Sequence, residues 1–133
     1  MKQIKFRGKR LDNGEWVCGD LEYNRNIGVA RIHTYDDNGN YEKQYVVANI
    51  TVGQYAGQQD KNGRDIYEGD ILRIYYDDYD SGITNVRCFG EIDYYTDCSD
   101  RAILAWLNPD MCEIIGNVHD SPELFKMNIH GLS

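Results

Sequence analysis

Residues 52–74 read VGQYAGQQDKNGRDIYEGDILRI, and they hold the residue types that bind ions. Four carboxylates (Asp60, Asp65, Glu68 and Asp70) alternate with glycines at 53, 57, 63 and 69. A calcium loop beginning at Asp60 would need glycine sixth and a bidentate glutamate twelfth. Asp65 and Ile71 stand there instead, and a loop begun at Asp36 meets Tyr41 and Val47 at the same places. A phosphate loop needs four residues between two glycines and then Lys-Ser/Thr. Gly57 and Gly63 are five residues apart in between, Arg64-Asp65 follows, and the carboxylates would repel an anion. The stretch therefore reads as turn chemistry, with Asn62-Gly63 and Gly69-Asp70 bending the backbone.

Other side chains offer raw material without a motif. Asp77, Asp78, Asp80, Glu91, Asp93, Asp97 and Asp100 could supply a paired-carboxylate or two-metal hydrolase site. No lysine lies between Lys61 and Lys126 to assist such carboxylates, and acids in loops ordinarily form a solvated face. His33, His119 and His130 accompany no nucleophile motif such as G-x-S-x-G. Cys18, Cys88, Cys98 and Cys112 form no C-x-x-C pair. Reduced thiols are expected, with Cys88 and Cys112 in the core. The reading is of a non-catalytic chain without metal or cofactor.

Charge narrows the partners. The 133 residues carry a formal net charge of -8, which disfavours salt-driven binding to nucleic acid or anionic lipid. The imbalance is local, because the first ten residues hold Lys2, Lys5, Arg7, Lys9 and Arg10 with no acid. Lys5, Arg7 and Lys9 alternate with Ile4 and Phe6, so they share one face of a strand. That face is either an edge protected by cations or a binding strip. Tyr76 and Tyr79 join it as a candidate surface, since tyrosine is enriched at interfaces. Their neighbours Asp77, Asp78 and Asp80 have the wrong sign for stacking nucleic-acid bases. No apolar run approaches the ~20 residues of a membrane helix, and MKQIKFRGKR lacks the apolar core of a signal peptide. A cytoplasmic location is expected.

The elements that would position these residues are short strands. Residues 2–9 and 15–23 alternate around Asp12-Asn13-Gly14, which predicts a hairpin with a type I′ turn. Residues 27–35 and 41–50 flank Asp36-Asp37-Asn38-Gly39 in the same way. Further strands are predicted at 71–76, 86–95, 102–107 and 112–118, with 76–84 (YDDYDSGIT) as an acidic hairpin loop. Ser121-Pro122 predicts one short helical turn. Repeated Asn-Gly pairs share only turn chemistry in their flanks, so no internal repeat is present.

Three segments, IKFRGKRLDNGEWVCGDL, VGQYAGQQDKNGRDIYEGDIL and CEIIGNVHDSPELF, together resemble the YopX-like proteins of bacteriophages and prophages. The resemblance runs from Ile4 to Phe125. It departs at Ala56, where threonine is usual, and at Ser121, where asparagine is usual. It implies a phage or prophage origin and marks Gly53, Tyr55, Gly57, Asp60, Gly63, Ile66, Tyr67, Glu68, Gly69 and Asp70 as motif and turn residues. It carries no catalytic residue. Around Tyr67-Glu68-Gly69-Asp70-Ile71 the sequence is also similar to the entry strand of small barrels of the Src-homology-3 (SH3-like) type.

The expected fold is thus all-β and mainly antiparallel, a single domain over 1–133 with at most short helical turns. Within it an N-terminal hairpin region (1–51) and a glycine-rich connector (52–70) precede a small SH3-like barrel (71–125). The expected function is a phage accessory protein that binds a host or phage protein and can self-associate. A nucleic-acid-binding module and a metal-dependent hydrolase stand as the alternatives.

Overall fold

A computed structural model describes residues 4–76, 79–86, 91–93, 101–103, 109–121 and 123–124. The chain divides into two compact units, Met1–Tyr55 and Ala56–Ser133, with the boundary inside one strand. Structure is mostly antiparallel β, as the alternating patterns require, and the helical pieces are short turns.

In the first unit, β1 (Phe6–Lys9), β2 (Trp16–Asn24), β3 (Val29–Tyr35) and β4 (Tyr41–Val47) lie in the order β4-β3-β2-β1. A 3-10 turn at Asn49–Thr51 leads into β5 (Gly53–Gln59), whose first residues pair with β1. The sheet curls until its ends meet. Arg10 and Val47 form an antiparallel bridge, the Ala48 N–H donates to Lys9 O at 2.9 Å, and the Leu11 N–H donates to Val46 O at 3.0 Å. Ala30, Ile32 and Val47 are buried inside the curl, with Phe6, Val17, Leu21 and Val52 packed against them. The apolar half of each alternating strand thus faces one core.

Tight curvature requires small residues. A Cβ on Gly8 would lie 2.8 Å from Val47 Cγ2, and one on Gly19 would collide with the His33 carbonyl oxygen. Curvature also explains a departure from the predicted first turn. The Gly14 N–H donates to Arg10 O at 2.9 Å and the Arg10 N–H to Glu15 O at 2.8 Å, closing a four-residue loop rather than a two-residue type I′ turn. Arg10 is drawn toward Val47, so Leu11 and Asp12 are taken up by the loop. The second hairpin has a three-residue loop, with the Gly39 N–H donating to Asp36 O at 3.0 Å and the Asp36 N–H to Asn40 O at 2.8 Å.

The second unit begins within β5 and adds β6 (Asp65–Tyr67), β7 (Asp70–Tyr76), β8 (Tyr79–Asn85), β9 (Glu91–Asp93), β10 (Arg101–Ile103) and β11 (Cys112–Asn117). β5 neighbours β6, β10 pairs with β9, and β7 is central in β11-β7-β8. Ile66, Leu72, Ile74, Val86 and Cys112 are buried together, joined by Ala56, Met111 and Ile114. The stretch expected as a connector therefore contains two strands. Among the described residues the strands expected as a barrel form two- and three-stranded sheets rather than a closed one.

The acidic stretch 76–84 departs from expectation. It is strand from Tyr79, registered on β7 from Tyr76↔Tyr79 to Ile71↔Asn85. As the outer strand of its sheet among the described residues, β8 is held to β7 by the backbone ladder and does not need apolar alternation. Of the strand expected at 86–95, Val86 makes an isolated bridge and 91–93 are β9; residues 87–90 and 94–95 lie outside the described residues. The same is true of residues 104–107 beyond β10. Glu123 and Leu124 are helical, and the Leu124 N–H donates to Ser121 O at 3.1 Å.

Gly19→Ala tests the curl. Forcing a methyl against the His33 carbonyl should cost about 1–3 kcal/mol, read as a lower midpoint in urea unfolding.

Candidate functional site

The motif residues converge on two backbone devices of the second unit. The first is the loop DKNGR. The Gly63 N–H donates to Asp60 O at 3.0 Å and the Asp60 N–H to Arg64 O at 2.9 Å, with Gly63 at φ +78°. A side chain is strained at that angle, so the turn selects glycine. Asp60 Oδ1 accepts the Asn62 N–H at 2.9 Å and the Arg64 N–H at 3.0 Å. Its Oδ2 accepts the Ile114 N–H at 2.9 Å and lies 3.7 Å from Arg64 Nη2. Arg64 Nη2 in turn donates to the Ile114 carbonyl at 2.6 Å, and the Lys61 N–H donates to Cys112 O at 3.0 Å. The loop thus grips both polar groups of Ile114 on β11.

Asp36 builds the same turn, its Oδ1 accepting the Asn38 and Asn40 N–H groups at 2.9 and 2.8 Å. The difference is burial: Asp36 is in an exposed loop, whereas Asp60 is 2% exposed. Burial alone would push the Asp60 carboxyl up. The Ile114, Arg64 and Asn62 amides and the Arg64 charge outweigh it, and the group stays below its ordinary 3.8. A carboxylate so occupied is poorly placed to act as a base or a metal ligand. Its charge adds to burial in raising the neighbouring Cys112 thiol, to about 11.

The second device joins the central motif to the closing one. Asp70, 1% exposed, accepts the Tyr67 N–H on Oδ2 at 2.8 Å. Gly69, at φ +94°, donates its N–H to Val86 O at 2.9 Å and accepts the Val118 N–H at 2.8 Å. Asn117 pairs with Asp70 across β11 and β7, and its Oδ1 accepts the His119 and Asp120 N–H groups at 3.0 and 2.9 Å. Ile66 and Tyr67 are core. Glu68 is half-buried within the turn, and Gly57 supplies a positive φ within β5. These motif residues are consumed by architecture.

The candidate surface residues fall otherwise. Lys5 Nζ lies 4.7 Å from the Tyr55 ring centroid. The Arg7 guanidinium lies 4.4 Å and Lys9 Nζ 5.8 Å from Trp16. Register explains the grouping. Lys9 pairs with Trp16, Arg7 lies between Cys18 and Gly53, and the Tyr55 N–H donates to Lys5 O at 2.8 Å. Gly53 offers no side chain to crowd Arg7. Arg10 and Lys43 take the Tyr45 ring at 4.3 and 5.3 Å. Five cations of the first unit thus lie over three aromatic rings. The sequence gives no sign of Trp16, Tyr45, Arg10 and Lys43 as partners: the expected type I′ turn would set Lys9 opposite Cys18, and only the four-residue loop between Arg10 and Glu15 sets it opposite Trp16. Tyr76 and Tyr79 are paired positions at the end of the β7–β8 hairpin, in the other unit from Lys5, Arg7 and Lys9.

Elsewhere, His33 Nε2 is 2.7 Å from Glu22 Oε1 and its Nδ1 3.3 Å from the Tyr41 hydroxyl, on the exposed sheet. Among the described residues no three His, Cys, Asp or Glu side chains are grouped to hold a metal ion. No helix among them is long and apolar enough to cross a membrane. Asp77, Asp78, Asp97, Asp100, Cys88, Cys98 and His130 lie outside the described residues.

Compared with known families, the chain matches the model described as YopX protein over residues 5–126. It belongs to that family. No match was found among curated proteins.

Two outcomes follow from this geometry. Asp60→Asn places an amide donor or a weaker acceptor against three N–H groups, and should cost about 1–3 kcal/mol in urea unfolding. Asp36→Asn, in water, should cost well under ~1 kcal/mol. Because the folded Asp60 carboxyl titrates below its unfolded value, its stabilisation is complete above about pH 4 and lost as pH falls through the folded value. Asp60→Asn should therefore flatten the acid side of the stability curve. In the second test, iodoacetamide should label exposed Cys18 in the native chain and buried Cys112 only after unfolding, as read by peptide mass mapping.

Proposed function

We propose that this YopX-family chain is a non-catalytic protein-binding module, supplied by a bacteriophage or prophage as an accessory protein in the cytoplasm of its bacterial host. The observation that carries the reading is the row of cations over aromatic rings along β1, Lys5 on Tyr55 and Arg7 and Lys9 on Trp16. Arginine and aromatic side chains are the ones that most often anchor protein interfaces. Rings hold the long cationic side chains in place and lower the entropy lost when a partner docks. Acidic groups on the partner fit such a row.

The contrast between motif and surface supports the same reading. The motif carboxylates Asp60 and Asp70 accept backbone N–H bonds, which leaves the family signature with an architectural task. By analogy of sequence around Tyr67–Ile71 we read the second unit, with its β11-β7-β8 sheet, as a small SH3-like barrel, an analogy that decides no function by itself. Nucleic acid is the weaker reading, since the ring faces a base would stack on already carry cations and the net charge is -8.

Capture from bacterial host lysate, with and without nuclease, tests the proposal. The wild-type chain should retain the same protein reproducibly, and Lys5→Glu with Arg7→Glu should lose it, whereas Gly19→Ala, which lowers stability without touching the row, should keep it. Retention of nothing, or only of nuclease-sensitive material, would overturn it.

A further inference from the structure

Among the described residues β4 is the outer strand of its sheet, and they cover only part of its edge. In an antiparallel ladder, alternate residues turn both backbone groups away from the neighbouring strand. On β4 the even positions do so, because Val46 O accepts the Leu11 N–H and the next such residue, Ala48, donates its N–H to Lys9 O. The segment Lys9–Leu11 therefore already lies along this edge as a short added strand. At Leu11 it turns away into the loop closed by Gly14 on Arg10. By the same alternation, Gln44 presents its N–H and carbonyl beyond that point, where no described strand pairs with it. At the junction Leu11, Asp12, Lys43, Gln44, Tyr45 and Val46 line a notch of about 250 Å³. Leu11 is 65% exposed there, although it is a leucine.

We propose that this edge binds an extended segment of another protein by strand addition, continuing the ladder that Lys9–Leu11 begins. The inference rests on the protein-binding reading and names the mode of binding and the chemistry of the partner. Charge decides against a second copy of the chain. Antiparallel β4–β4 registers that leave Val46 with Leu11 set Lys43 against Lys43 or Glu42 against Glu42, and like charges directly opposite are unfavourable. A foreign strand avoids the conflict with an acidic residue opposite Lys43 and an apolar side chain in the notch beside Leu11 and Val46. The chemical class is an extended peptide in which acidic and apolar residues alternate.

A display library of linear peptides, panned on the whole chain, tests this. Selected peptides should combine an acidic with an apolar residue, and should shift the amide NMR signals of Leu11, Gln44 and Val46. Gln44→Pro removes the outward N–H and should weaken them roughly tenfold. Lys43→Glu keeps every backbone group, and should reverse the selection to peptides with a basic residue at that place. Peptides that shift Lys5, Arg7 and Trp16 instead would overturn strand addition and leave the module reading standing. Absence of any binding peptide, with oligonucleotides bound instead, would overturn both. A dimer in sedimentation that Gln44→Pro dissociates would assign the edge to a second copy and overturn the proposal.

Discussion

A carboxylate taken out of water must be given donors, and at Asp60 the protein supplies them from its own backbone. The Asn62 and Arg64 amides come from the turn that Asp60 itself opens, and the Ile114 amide comes from β11. Leaving even one buried polar group unmatched costs as much as a good hydrogen bond contributes. The demand fixes the turn, the turn selects glycine at position 63, and Arg64 is placed to take the Ile114 carbonyl. Cys112, held through its carbonyl by the Lys61 N–H, sits in the core beside Ile66, Leu72 and Ile74. A stretch rich in ion-binding residue types is thereby committed to holding strands together.

The first unit obeys a different constraint. Its sheet curls until Arg10 meets Val47, and such a bend is possible only where Gly8 and Gly19 admit neighbouring atoms. One consequence is the loop that carries Leu11 away from β4. Another is a β1 whose half-buried Lys5, Arg7 and Lys9 are laid over Tyr55 and Trp16. The binding proposed for this unit uses that row and the part of the β4 edge that no described strand pairs with.

Alternation and turn residues made much of this legible. The antiparallel pairing of the first two hairpins, the burial of Cys112 and the turn roles of Gly63 and Gly69 follow from local rules. Two kinds of feature did not. The loop lengths after β1 and β3 depend on which backbone atoms the flanking residues must reach, and Asn-Gly alone does not state that. β8 was hidden because an outer strand is held by its ladder, and YDDYDSGIT shows no apolar period. The grip of Asp60 on Ile114 spans 54 residues, and no local pattern reveals a partner so distant. Asp36 and Asp60 begin nearly the same turn, and only the surroundings make one a surface loop and the other a clamp.

Native-state hydrogen exchange of single amides tests most directly that Asp60 is this clamp. The Arg64 and Ile114 amides should be protected as strongly as those of Leu72 and Ile74, opening only when the second unit unfolds. The Asn38 and Asn40 amides, themselves exposed and held by half-buried Asp36, should exchange far faster. Arg64 and Ile114 exchanging as quickly as Asn38 and Asn40 would contradict the clamp.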